Sequence, residues 1–459
     1  MTRFRLPTPL LAIAALSVSF AGPSLAQDSG PGASRLARLV WQDYESKTLH
    51  WGELVRNGEA FKLRTGGTVS AFPKLDAKRQ ELVQMDRVGP VALVGVRDDA
   101  GGAFESGWTC VDRGVERSSS GWRYGDAPRT IAKSLSDSQG NPAHLYVYDD
   151  VFYLANDALN GFTRIDPKLL ATSPDDYRGT FHRGGGGHIT FAAVDGRIAY
   201  GTWILGEGPR KGRVDVTDLS KPFDRSLAYS FFLPVGGLHG ATTNSGKVFF
   251  APSDGIYWID ADEDLRLTGD QVRPRHLSLG ADPETKRPLR TGAFANHENW
   301  TLFTTGRGEN SSLCLIKASA SEPVVVKVSI PTAKGLSLVT PDTVLTEEGE
   351  RYAFVFQDRL EGEAKETLTV VDLDPDGDRD FSDARVAKTV DVGASEVSGH
   401  YGHHAVAFDE QGRYAFIANP GDGQIWLMSL VDLTIVAKQD VGGVPTKVIA
   451  VGGNEAAGQ

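Results

Sequence analysis

His404-Ala-Val-Ala-Phe-Asp-Glu-Gln-Gly-Arg-Tyr-Ala-Phe-Ile-Ala418 carries a complete β-hairpin in its pattern. Apolar residues alternate from Ala405 to Phe408, a polar turn follows through Gly412, and a second β-rich run begins at Tyr414. Alternation of period two bounded by a glycine-containing turn is the signature of paired antiparallel strands. The same unit recurs as His188-Ile-Thr-Phe-Ala-Ala-Val-Asp-Gly-Arg-Ile-Ala-Tyr-Gly201, as His239-Gly-Ala-Thr-Thr-Asn-Ser-Gly-Lys-Val-Phe-Phe-Ala251 and as His144-Leu-Tyr-Val-Tyr-Asp-Asp-Val-Phe-Tyr-Leu154. Weaker copies begin near Ser70, Thr291 and Leu336. Starts spaced by roughly 45 to 50 residues are too long for most solenoids and suit the four-stranded blades of a β-propeller.

The ends of the chain complete the ring. Val444-Pro-Thr-Lys-Val-Ile-Ala-Val451 stops after one strand, whereas Leu36 to Gln42 and Thr48 to Leu54 read as strands without an inner partner. One blade shared by both termini accounts for each. The expectation is all-β, a single propeller over residues 27–459 with eight blades, seven being the alternative because the unit from Leu336 to Val392 is long and irregular. The chain holds 52 glycines, and no segment keeps apolar residues at helical spacing for three turns, which excludes a helical architecture.

Residues 1–26 read as a signal peptide: Arg3 and Arg5 precede an apolar run from Leu10 to Phe20, and Ser24-Leu-Ala26 supplies a small-residue cleavage site. The expected product, cut after Ala26, is exported to the periplasm, with no membrane anchor and as a monomer. The net charge of -11 becomes more acidic by two when Arg3 and Arg5 leave, which disfavours nucleic acid and suits cationic ligands. Cys110 and Cys314 are the two cysteines; an oxidising compartment permits their pairing without requiring it.

Four of the 10 histidines, His144, His188, His239 and His404, hold one place in the repeat, the entry of an inner strand. Inner strands ring the axis, so equivalent positions converge on one channel mouth, where neutral imidazoles from separate segments form the donor set favoured by zinc and copper. A lone histidine in a β-protein is ordinarily a buried hydrogen-bonded residue. Recurrence at one repeat position is harder to explain structurally, since Thr291 and Leu336 fill it in other blades. The loops Phe181-His-Arg-Gly-Gly-Gly-Gly-His188 and Gly399-His-Tyr-Gly-His-His404 add His182, His400 and His403 as supporting candidates. His50, His276 and His297 read as structural or surface residues.

A second constellation, Asp372-Leu-Asp374-Pro-Asp376-Gly-Asp378-Arg-Asp380-Phe-Ser-Asp383, has the oxygen spacing of a calcium loop, with Asp in place of the usual final Glu. An acidic solvated turn explains the same residues. Calcium, if held there, would be structural.

Gly399-His-Tyr-Gly-His-His-Ala-Val-Ala-Phe-Asp409, Ala418-Asn-Pro-Gly-Asp-Gly423 and Val441-Gly-Gly-Val-Pro-Thr446 resemble the AztD family of periplasmic zinc metallochaperones, as do Gly237-Leu-His-Gly240 and Pro142-Ala-His144. The resemblance implies a non-catalytic propeller that binds zinc and passes it to the solute-binding protein of a zinc ABC importer. It implies His144, His239 and His404 as metal positions, with His188 in a looser match. Two departures stand out. Gly236 and Pro252 occupy the places of a family cysteine pair, and residues 111–121 lack the histidines of a flexible family segment. The other readings are a metal-free partner-binding propeller and a metal-dependent lactonase-type hydrolase. No nucleophile elbow, phosphate loop or dinucleotide fingerprint supports covalent or nucleotide chemistry.

Overall fold

The computed structural model describes residues 34–98, 105–174, 176–399 and 401–456. The expected signal peptide and its cleavage point lie outside these residues. The described residues form eight antiparallel sheets of four or five strands, one per blade, and a separate two-stranded hairpin. Numbered in chain order from the N-terminal sheet, blade 1 runs from Pro445–Val451 on the inside through Ser34–Asp43 and Thr48–Asn57 to Ala60–Thr68. Trp41 lies opposite Val448 and Arg38 opposite Val451, so the last strand of the chain supplies the inner edge of the first blade. The ring has eight blades, closed by strands from both termini.

The irregular unit that left seven open is blade 7. Its inner position is divided between Leu336–Leu338 and Asp342–Leu345, which pair in succession with the long strand Arg351–Arg359. Pro341 between them cannot donate to a sheet and marks the break.

Buried apolar residues cluster between neighbouring blades. Ala192, Tyr200 and Val214 of blade 4 pack with Val248, Phe250 and Ile259 of blade 5. Leu36, Leu39 and Trp41 of blade 1 pack with Phe416, Ile425 and Leu427 of blade 8. Alternate faces of each strand are thereby buried on both sides, so the sequence reads as short, strongly apolar strands.

Residues 111–121 take part in a clasp of the two ends of the described chain. Val115–Ser118 and Gly121–Tyr124 form the separate hairpin. Trp122 exchanges backbone hydrogen bonds with Asn454 and Ala456, and Tyr124 donates its hydroxyl to Gly453 O. Cys110 and Cys314 are both buried and unpaired, in blades 2 and 6, and burial pushes each thiol up to about 12.

Candidate metal centre

His144, His188 and His239 come from consecutive blades 3, 4 and 5 and meet at the mouth of the central channel. His144 lies in the inner strand Pro142–Tyr148, whereas His188 and His239 lie just ahead of Phe191–Val194 and Ala241–Asn244. The Nε2 atoms of His144 and His188 are 2.9 Å apart. The His239 ring centre is 5.0 Å from that of His188 and 6.3 Å from that of His144.

The backbone that delivers His188 depends on its glycines. A Cβ on Gly186 would lie 2.3 Å from the Trp203 ring, so only glycine lets this loop pass so close. Asp157, just after the second strand of blade 3, then fixes the imidazole. One carboxylate oxygen accepts the Ile189 N–H at 3.0 Å, and the other lies 3.1 Å from His188 Nδ1 and 3.6 Å from Arg97. An Nδ1–H donated to Asp157 leaves Nε2 with its lone pair free of a proton, the carboxylate–histidine arrangement that orients metal ligands.

His239 is turned in the same way. Its Nδ1 donates to Gly292 O at 3.2 Å, again leaving Nε2 as the donor atom. With His188 Nε2 accepting, the short contact between the first two rings is a hydrogen bond donated by His144 Nε2–H. A tetrahedral zinc with bonds of about 2.0 to 2.1 Å places its ligand nitrogens about 3.3 Å apart, so exchanging that proton for the ion widens the pair by only a few tenths of an ångström.

The expectation that His404 joins this cluster needs correction. Its Nδ1 donates to Asp358 at 2.7 Å and its Nε2 to Gly393 O at 3.1 Å, so both ring nitrogens are engaged. Burial opposes a charge there, but the hydrogen bond and charge of Asp358, with Glu366 beyond, outweigh it and raise the His404 pKa. With both ring nitrogens engaged, His404 acts here as a brace between Asp358 and Gly393 O. The physical reason is azimuth. His404 belongs to blade 8, across the ring from blade 4, and the Asp358–His404 contact repeats the Asp157–His188 contact half a turn away. Oxygens of Asp358 and Glu366 and a nitrogen of His404 do lie within 4.8 Å of one another, but their hydrogen bonds already serve Ser395, Arg359 and His403.

His403 lines the channel, with its Nδ1 2.8 Å from Asp358. His400 lies outside the described residues. His182 is displaced altogether from the mouth, because it sits on Thr180–Arg183, the outermost strand of blade 3. It is 1% exposed, stacks on Phe162 at 5.5 Å, and among the described residues has no hydrogen-bond partner at either nitrogen. Burial, aided by Arg164, lowers its pKa to about 4. Since the unfolded value is higher, neutral His182 contributes stability above pH about 6.5 that is lost as pH falls towards its folded value, about 3 kcal/mol in all. His182→Phe should flatten this acid arm in denaturant titrations across that range; an unchanged arm would remove His182 as its source.

The acidic loop is held by its own backbone. Asp374 accepts Arg379 N–H and pairs with Arg351, Asp376 and Asp378 accept the N–H two residues on, and Asp380 meets Lys317 at 2.7 Å. Oxygens of Asp374, Asp376 and Asp378 approach within 4.8 Å, as exposed acidic groups commonly do without an ion. Asp372 and Asp383 do not enter that group. Nothing further in the loop favours calcium.

Comparison with solved structures places the architecture. Apo AztD from Citrobacter koseri superposes with a TM-score of 0.60 at 13% identity, covering 92% of this chain and 99% of that one. The fold is that of AztD. A second Citrobacter koseri AztD structure agrees, at a TM-score of 0.59, 14% identity, and 91% and 98% coverage. No family model and no curated protein matches the sequence. At such identity the likeness to AztD establishes the fold, and function rests on the site's chemistry.

Sequence reasoning missed Asp157 and Asp358. Both stand at or just after the end of a blade's second strand, where Asp98 and Asn419 stand in blades 2 and 8, and Asp157 and Asp358 each take up an N–H and a ring nitrogen from the loop entering the next blade. A polar residue at that recurring place was the available signal.

Proposed function

We propose that this protein is a non-catalytic zinc carrier of the periplasm, which takes the ion on His144, His188 and His239 and passes it to the solute-binding protein of a zinc ABC importer. The observation that carries the reading is the convergence of three imidazoles from consecutive blades, two with Nδ1 committed to Asp157 and Gly292 O so that Nε2 is the donor atom. Three nitrogens suit zinc and leave a fourth position open, through which the ion can be exchanged. The AztD fold and the resemblance in the histidine-bearing stretches support the carrier role, and the first 26 residues support the compartment. Untagged protein titrated with zinc against a chromophoric chelator at neutral pH should retain one ion per chain and release it on mixing with the solute-binding protein. Surrender of all zinc to a chelator of micromolar affinity would overturn the reading.

A further inference from the structure

The three histidines open onto a cavity of about 990 Å³. That is the size of a small-molecule pocket, and a single ion held by imidazoles needs none of it. Its charge is also wrong for a bare cation. Although the chain as a whole is acidic, Arg97, Arg290 and Lys447 line the cavity, and Asp342 is the one carboxylate among its described lining residues.

Two of the cations have acidic neighbours: Arg97 pairs with Asp157 at 3.6 Å, and Lys447 interacts with Asp342 and Asp86. Arg290 differs. It is exposed, and among the described residues its guanidinium forms no ion pair, donating from Nη2 to Gly237 O at 3.3 Å. That contact ties the loop carrying Arg290 to the loop carrying His239, and His239 Nδ1 binds back to Gly292 O at 3.2 Å. The two cross-links hold an uncompensated guanidinium beside a metal-binding imidazole. Guanidinium with its fork of N–H donors is the group that recognises carboxylates. Hydroxyls of Thr190, Thr242 and Thr291 line the same space.

We propose that the cavity takes zinc together with a small dicarboxylate anion, one carboxylate completing the metal shell at its open position and the other meeting Arg290. This rests on the zinc site proposed above and gives its cargo a chemical form: the ion arrives as a carboxylate complex. The carboxylate offsets the positive charge that the zinc and Arg290 would otherwise bring together.

Succinate, which binds zinc weakly in water and so does not strip it, is the probe. Calorimetric titration into zinc-loaded protein in a non-chelating buffer should show binding at least about tenfold tighter than to metal-free protein, because one carboxylate is a metal ligand. Propionate, which lacks the second carboxylate, should bind the loaded protein about tenfold more weakly, and Arg290→Ala should bring succinate down to the propionate level. The exposed Arg290 side chain makes an unchanged melting temperature of the metal-free variant the expected control. Zinc-loaded protein that binds succinate no better than propionate, or Arg290→Ala that binds succinate as the parent does, overturns the inference and leaves the zinc site standing. Failure to load zinc at all removes the site, and the inference with it, before succinate is added.

Discussion

His188→Ala and His239→Ala should each lower zinc affinity about a hundredfold or more, and Asp157→Asn by about ten- to a hundredfold. The ranking follows from the geometry. His188 and His239, with ring centres 5.0 Å apart, each have Nδ1 committed so that Nε2 is the donor atom, and Asp157 fixes the aim of His188 through the 3.1 Å contact at Nδ1. Competition with a chromophoric chelator measures all three. His50→Ala and His276→Ala, whose rings lie against Trp41 and Tyr257 away from the mouth, serve as unaffected references. His404→Gln separates the two histidine clusters: it should lower the melting temperature, because buried Asp358 loses its 2.7 Å partner, and leave zinc affinity per folded molecule where it was. A weakened zinc site in His404→Gln together with full affinity in His239→Ala would reverse the assignment.

The largest stability effect is expected at Arg38. This side chain is almost wholly buried in the N-terminal strand of the closing blade. Its Nε and Nη2 reach Glu53, and its remaining N–H groups go to the carbonyls of Arg113, Gly114, Gly125 and Asp126. Those carbonyls border the hairpin that clasps the C-terminal segment. Arg38→Met would leave Glu53 as a buried charge whose remaining ion-pair partner among the described residues is Arg35 at 3.7 Å, and would strand the carbonyls without the Arg38 donors. Breaking one side of such a pair costs about 3 to 5 kcal/mol. Urea midpoints should record the loss, and the double variant Arg38→Met with Glu53→Leu should recover a large part of it, since the uncompensated carboxylate is then gone. A double variant no more stable than the single one would place the cost in the stranded carbonyls instead.

What the sequence revealed and what it hid have one geometric explanation. Hairpin units such as His188 to Gly201 and His404 to Ala418 state their alternation and turns locally, so strands and blades were readable, as was the junction of Ser34–Asp43 with Pro445–Val451. A residue's place in the repeat fixes its height and its distance from the axis. It does not fix the angle around the axis, which depends on the number of blades and on which blade bears the residue. His144, His188 and His239 share a mouth with His404, yet only those on neighbouring blades come within reach of one ion. His182 was misplaced for a related reason: its loop leads to His188, but the histidine itself belongs to the preceding outer strand. Asp157 and Asp358 were hidden because carboxylates at strand ends are usually turn residues, and their partners lie a blade away.

The junction of first and last strands also orders events in time. Val444 N–H meets Asp43 across 401 residues of chain, and bringing ends so distant together costs about 3 kcal/mol more in loop entropy than closing a ten-residue loop. Pairing these two strands is thus expected to follow formation of the blades between them. The three imidazoles and the groups that aim two of them all fall between His144 and Gly292, in blades that are contiguous in the chain and take no part in that junction. The three histidines can therefore be brought together while the circle is still open, and an ion taken by the proposed site at that stage would bias the partly built ring towards completion.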